Sequence, residues 1–439
     1  MKTPVLKILC LLGLQLGLLL GLQPDAAQAL TLEQRLFDQA WRVVSQAYVD
    51  DTFNDQNWWA VRQTVLSQPL ADRAQTYDVV REMLDSLGDP FTRLLEPEEY
   101  RNLQMTTSGA LTGVGLQIAS DRTNGQVIVI APIAGSPAER AGLHPGDHIQ
   151  AIDGQPTDDL SLDEAASLMR GPQGTTVRLT VNRWINPDFN ATLSPIPKPV
   201  TTSDQSSPQP NLEFWEVEVV RDLISLNSVI SELRQEPGLP PLGYIHLLQF
   251  NGNSRVEMED ALLDLESQGA EGYILDLRNN PGGLLQAGID VARLWLDRGT
   301  IVYTVDRHGV QGSFQANGFA LTEDPLVVLV NRGTASASEI LAGALQENDR
   351  ATLVGETTFG KGLIQSLFQL LDGSGMAVTV AKYETPLHHD INKEGIHPNY
   401  EVPSVPLRSN QWGSDLDRQY QEALTLLYPK SLAQNPGQG

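Results

Sequence analysis

Apolar residues recur along this chain with three different spacings, and each spacing predicts a different kind of element. In LEQRLFDQAWRVVSQAYVD, which begins at Leu32, a helical repeat places Leu32, Leu36, Ala40, Val43, Val44 and Ala47 on one face. A second helical pattern, TYDVVREMLDSL, stops at Gly88 and Pro90, so the chain reads as helical up to about residue 105. The texture then changes to short strands and glycine turns: GVGLQIA, QVIVIAPI, SPAERAGLHPGDHIQAIDG, the short helix SLDEAASLM, and TVRLTVNR. That order predicts a small, partly open barrel. A Pro-, Ser- and Thr-rich stretch at 184–212 follows as an insertion in the small domain's last hairpin, before EFWEVEVVRD resumes as strand. From residue 243 to 405, strands such as EGYILDLR, LVVLVN and GMAVTVAKYE alternate with the helices SRVEMEDALLDLESQ, LLQAGIDVARLWL and ASEILAGALQE. Alternation of that kind predicts an α/β layer structure. A polar, partly helical tail closes the chain.

Composition changes this picture at the N-terminus. Lys2 and Lys7 precede the apolar run ILCLLGLQLGLLLGL, and small residues end in Ala27-Gln28-Ala29, the pattern of an export leader cleaved after Ala29. The run falls short of the roughly 20 residues a spanning helix needs. Cys10, the single cysteine, lies inside it, so the mature chain has no thiol for catalysis, disulfides or metal. Without the leader, 28 basic side chains face 53 acidic ones. That balance excludes a nucleic-acid partner.

Two stretches carry candidate chemistry. The loop Gly113-Val114-Gly115 leads into a strand, and its backbone N–H groups can receive a carboxylate while the sheet edge accepts a peptide as an added strand. Taken alone, these three residues are better accounted for by a plain structural turn. The second stretch, GTASASEILAGAL, puts Thr334, Ser336 and Ser338 ahead of an amphipathic helix expected to start near Ala337 or Ser338. A hydroxyl there suits a nucleophile at the positive end of a helix dipole, and it suits simple N-capping. None of the seven histidines stands in a catalytic frame, and His388-His389 beside Asp390 lacks a third metal ligand. Lys361, in TFGKGLIQ, is the better base, since a desolvated lysine loses its proton more readily. In a period-two strand Gln365 would share its face and hold the amine. A solvated lysine in a glycine turn remains the alternative.

The run of Ser-Pro-Ala, Ala-Gly-Leu, Pro-Gly-Asp and Ile-Asp-Gly over residues 108–183 resembles PDZ domains, which implies that Val114, Gly115 and Leu116 form a carboxylate-binding loop. TASASEILAGALQENDRATLVGETTFGKGLIQS, GYILDLRNNPGGLLQAGIDVARLWL and LGDPFTRLLEPEEY resemble the C-terminal processing (tail-specific) serine peptidases, above all their cyanobacterial and chloroplast-lumen members. Those members trim the photosystem II reaction-centre precursor. The resemblance implies an α+β multidomain chain: leader 1–29, N-terminal helical region 30–107, PDZ domain 108–222, α/β layered protease core of the crotonase/ClpP-like type 223–407, and tail 408–439.

It also implies roles. Ser336 is then the nucleophile, Lys361, 25 residues on, its base, and Gln365 the group that holds the lysine. The oxyanion donors are Ala337 N–H and, from Asn280-Pro281-Gly282-Gly283, Gly282 N–H. An acidic residue that some members use aligns with Glu347. Neither metal nor cofactor is implied. The implied enzyme is exported to a thylakoid lumen or periplasm, soluble and monomeric. Its partner is a protein substrate with a free C-terminus, membrane-embedded substrates included. A periplasmic quality-control protease and a non-catalytic PDZ binding protein are the rival readings.

Overall fold

The structure is a computed structural model that describes residues 30–121, 125–133, 135–185, 211–405, 407 and 411–429. The expected leader, with Cys10, and nearly all of the 184–212 insertion lie outside the described residues. The chain divides into two compact units. One comprises the described residues up to Tyr100 with Val305–Gly309 and Leu363–Lys382, and the other comprises the rest.

In the first unit the helix Leu32–Ala47 starts at Thr31, whose side chain accepts from Gln34 N–H while the Gln34 side chain accepts from Thr31 N–H. Its buried face carries Leu36, Phe37, Ala40, Trp41 and Val44, whereas Leu32 is 50% exposed. The buried stripe is therefore rotated toward the aromatics, which bring more apolar area to a core than Leu32 and Ala47 would. The helices Trp58–Leu66 and Arg73–Asp85 complete the cluster with Trp58, Val80, Met83 and Leu84. They do not close a core alone. Leu370, Met376 and Val378, from an antiparallel pair formed by Leu363–Gln369 and Gly375–Glu384, belong to the same cluster. Helices expected to be a separate region thus bury their apolar stripes on strands from late in the chain.

The second unit holds two six-stranded sheets and a two-stranded pair, Ala110–Gly113 with Asp222–Ser225. The first six-stranded sheet has the spatial order Leu116–Ser120, Val127–Pro132, His148–Ile152, Thr176–Ile185, Asn211–Val220, with Gln155–Pro156 paired to His148–Ile152, around a core of Val127, Leu143, Ile149, Leu179 and Val181. Leu116–Ser120 is an edge strand, flanked by the helix Leu162–Met169. The second six-stranded sheet is mostly parallel. Val229–Arg234 pairs antiparallel with Leu242–Leu247; Tyr273–Asp276, Leu326–Val330, Thr352–Gly355 and Tyr400–Glu401 follow in parallel. A parallel sheet needs cover on both faces, and the five residues of Leu326–Val330 are all buried. One face is covered by Arg418–Leu427, from the stretch expected to be a polar tail: Tyr420, Ala423, Leu424 and Tyr428 pack on Tyr244, Ile274, Val327 and Val354. Its apolar positions are sparse in sequence but fall on one helical face.

Candidate active site

The strand Tyr273–Asp276 ends in a loop, Leu277 to Gly283, and the strand Leu326–Val330 ends in a second, Asn331 to Ser336. Side chains knit the two together. Asn331 Nδ2 donates to Asn279 Oδ1 while Asn279 N–H donates to Asn331 Oδ1, both at 2.9 Å. Thr334, fully buried, donates its hydroxyl to Leu277 O at 2.8 Å and accepts Asn331 N–H at 3.0 Å. Ser338, in the first turn of the helix Ala337–Glu347, donates to Asn280 O at 3.1 Å. Two of the three candidate hydroxyls are therefore committed to fixed structural bonds.

Ser336 differs from both. Its φ of 57° and ψ of −118° lie in a region that residues with a side chain rarely adopt. The N–H groups of Glu339 and Ile340 bond its carbonyl oxygen, not its hydroxyl, so the hydroxyl does not serve as a cap. Among the described residues the Ala337 N–H has no hydrogen-bond partner. A half-buried hydroxyl, a strained backbone and an unused N–H at a helix start are the local requirements for a nucleophile with an oxyanion donor beside it.

Glu339, three residues after Ser336, connects this turn to Lys361. Its carboxylate is fully buried and accepts from Ser336 N–H at 2.8 Å, Lys361 N–H at 2.9 Å, Gly360 N–H at 2.7 Å and the Thr358 hydroxyl at 2.5 Å. One anion thus fixes both backbones by charge-assisted bonds. The Tyr383 hydroxyl adds a second tie, 2.6 Å from Lys361 O and 3.1 Å from Ser336 O. Burial, and after it the charges of Glu339 and Asp390, keep the Tyr383 phenol well above its usual pKa, so it retains the proton it donates. Motif reading assigned Glu339 no role; its spacing to Gly360 and Lys361, 21 and 22 residues on, becomes meaningful only once the loop is folded.

Other expected residues are placed as follows. Gly282 comes as close to Ser336 as the glycine motif suggests: an added Cβ would lie 2.8 Å from Ser336 Cβ and 2.9 Å from Ala337 N. Its N–H, however, donates to Asn280 Oδ1 at 2.9 Å, so it reaches an oxyanion only by leaving or sharing that bond. Lys361 lies in a loop rather than a strand, because the strand begins at Leu363. A register shift between Ile364 and Gln365 breaks the period of two on which their shared face was argued. Gln365 belongs to the first unit, opposite Thr379 in the strand pair. Glu347 is occupied elsewhere, by His389 Nδ1 at 2.8 Å and Leu387 N–H at 2.7 Å.

Just before the edge strand Leu116–Ser120, Val114 O accepts from Ala138 N–H and Gly115 O from Ile133 N–H, each at 2.9 Å, and Ser136 Oγ also donates to Gly115 O. In a trans peptide the N–H points opposite to the C=O, so the N–H groups of Gly115 and Leu116 face away from that anchoring segment. Gly115 has φ 78°, and a Cβ there would lie 2.3 Å from Ser136 Cβ. Val114 itself is buried in the core.

Residues 241–402 match the family model for peptidase family S41, and residues 128–183 that for the PDZ domain. The carboxyl-terminal-processing protease of a Synechocystis species is 56% identical over 93% of this chain and 90% of its own. The chain belongs to peptidase family S41. As a member of this family it is a serine-type, carboxyl-terminal-processing peptidase with a PDZ domain. A further family relative, carboxyl-terminal-processing peptidase 2, chloroplastic, from Arabidopsis thaliana, is 43% identical over 85% of this chain and 70% of its own. Among S41 structures, the photosystem II D1 C-terminal processing protease matches with a TM-score of 0.53 and 41% identity, over 85% of this chain and 94% of that one. Among the described residues no helix is long and apolar enough to cross a membrane.

Proposed function

We propose that this peptidase removes the C-terminal extension of the photosystem II reaction-centre precursor, with Ser336 as nucleophile and Lys361 as general base. The observation that carries the reading is the Glu339 carboxylate, which ties the Ser336 and Lys361 backbones to one point. The PDZ loop at Val114, Gly115 and Leu116 receives the substrate's terminal carboxylate. Ser336 Oγ attacks the scissile carbonyl as the Lys361 amine takes its proton, and the ammonium then gives that proton to the leaving amine. Water hydrolyses the acyl-enzyme by the same transfer in reverse order. Ala337 N–H, with Gly282 N–H once it turns from Asn280, stabilises the oxyanion; such donors are worth ~10² to 10³ in rate each. The mature enzyme works as a soluble monomer in a lumen or periplasm, after loss of residues 1–29. The assignment to that precursor is supported by similarity to the photosystem II D1 C-terminal processing protease. Mass spectrometry of a tailed precursor incubated with wild type and with Ser336→Ala tests it. A single cut by wild type and none by the variant is expected. Equal cutting by both defeats the nucleophile, and many cuts across unrelated proteins favour a quality-control protease.

A further inference from the structure

Lys361 stands between Gly360 and Gly362, the residue type least able to hold a backbone still, whereas a base must point in one direction to work. The glycines are required by a close approach. A Cβ on Gly360 would lie 2.9 Å from Lys393 C, and one on Gly362 would lie 2.9 Å from Asn392 N. The segment after Ile391 closes on the loop through that space: Lys393 N–H donates to Gly360 O at 2.8 Å, and Ile396 N–H to Thr358 Oγ1 at 2.7 Å. The stiffness that two glycines remove must therefore come from elsewhere.

Proton counting locates it. The Tyr383 phenol has one proton to give and two carbonyl oxygens in reach, Lys361 O at 2.6 Å and Ser336 O at 3.1 Å. Ser336 O already accepts Glu339 N–H at 2.8 Å and Ile340 N–H at 3.0 Å, which occupy both its lone pairs. The phenol proton therefore goes to Lys361 O. Tyr383 is 1% exposed, and its own N–H donates to Gly362 O at 3.0 Å, so one immobile residue grips two successive carbonyls of the loop. On the other side of Lys361, its N–H is held by the Glu339 carboxylate. The peptide planes before and after the lysine are thus both fixed, and with them the direction of its Cα–Cβ bond.

We propose that Tyr383 is a positioning residue for Lys361: its hydroxyl, opposite the Glu339 carboxylate, closes a clamp on the lysine backbone and so aims the amine. The inference rests on the reading of Lys361 as general base. Without the clamp the side chain swings from a flexible Gly-Lys-Gly turn and spends time in water.

The test compares Tyr383→Phe, Tyr383→p-aminophenylalanine and Lys361→Ala by kcat and KM on a tailed peptide across pH, each referred to the folded fraction found by thermal unfolding. Tyr383→Phe keeps the ring and loses the donor. It is expected to lower kcat about 10-fold with KM little changed. It should also move the acid limb of the pH profile to higher pH, because a lysine that reaches water keeps its proton longer. Tyr383→p-aminophenylalanine, whose NH₂ can donate to the same carbonyl, restores kcat and the acid limb toward wild type. Wild-type kcat for Tyr383→Phe, a lowered kcat with the acid limb in place, or no recovery with p-aminophenylalanine overturns the clamp. Wild-type kcat for Lys361→Ala overturns instead the reading of Lys361 on which the clamp rests.

Discussion

Val114 to Leu116 and the Ser336 turn, the two places where the proposed function has backbone N–H groups meet negative charge, are held in different ways. At Val114 to Leu116 the anchors are backbone carbonyls bonded to Ile133 and Ala138 N–H, with Ser136 the one side chain involved among the described residues. At Ser336 backbone bonds are joined by a dense set of side-chain anchors: Asn279, Asn280, Asn331, Thr334, Ser338 and Glu339. A loop that captures a stable carboxylate needs only a shape, and backbone bonds supply that whatever the side chains are. A turn that meets a transient oxyanion must be held to a fraction of an ångström while a strained φ is maintained. Buried, charge-assisted side-chain bonds provide that rigidity, so single substitutions there should affect rate, whereas those in the capture loop should affect affinity.

The strongest test of this contrast is Ser336→Ala, expected to lower kcat at least about 10⁴-fold, with Lys361→Ala close behind, by quantitative mass spectrometry of product. Next comes Glu339→Gln, which keeps the shape but loses the charge shared by four donors. It should lower kcat about 10- to 100-fold at nearly constant KM, and a loss confined to KM would erase the proposed difference between the loops. Gly115→Ala sharpens the other side. With φ 78° and Ser136 in the way, it should raise KM for a tailed substrate about 10-fold at unchanged kcat, and amidating the peptide's C-terminus should cost wild type a similar factor.

The smallest effect expected is on stability in acid. Burial raises the Asp417 pKa, but bonds from Arg278 outweigh it and hold the carboxyl below its ordinary range. A group depressed on folding contributes stability above its unfolded pKa and loses it as pH falls through the folded value. Asp417→Asn keeps the helix cap and removes the charge. It should therefore lower the neutral-pH Tm by a few degrees and flatten the acid side of the Tm profile, which a pH series of thermal melts reads directly.

The helix start at Ala337 was legible in the sequence because the apolar spacing behind it is local, whereas the choice of Ser336 among three hydroxyls and of Lys361 as a base came from the family resemblance. What the sequence left obscure is contact order. The Glu339 carboxylate bonds residues 358 to 361, and Thr379 bonds Asp89, far back in the chain. The Gly282 N–H bond to Asn280 depends on a loop conformation that glycine content alone leaves open. The strand, turn and short-helix order in the PDZ region could be read from period and glycine placement. The N-terminal helices could be located, but not the late strands on which they pack.

The helix Arg418–Leu427 has a consequence for the timing of synthesis. Arg278, next to the oxyanion loop, is enclosed by Asp276 and Asp417, with Trp412 4.9 Å from its guanidinium, and Tyr420 is fully buried. Trp412, Asp417 and Tyr420 follow every strand of that sheet in the chain and leave the ribosome after them. A nascent chain that has not reached residue 412 therefore has one face of the sheet bare and Arg278 short of a counter-ion. A peptidase that trims the ends of other proteins folds its own active-site sheet only when the segment after it has emerged.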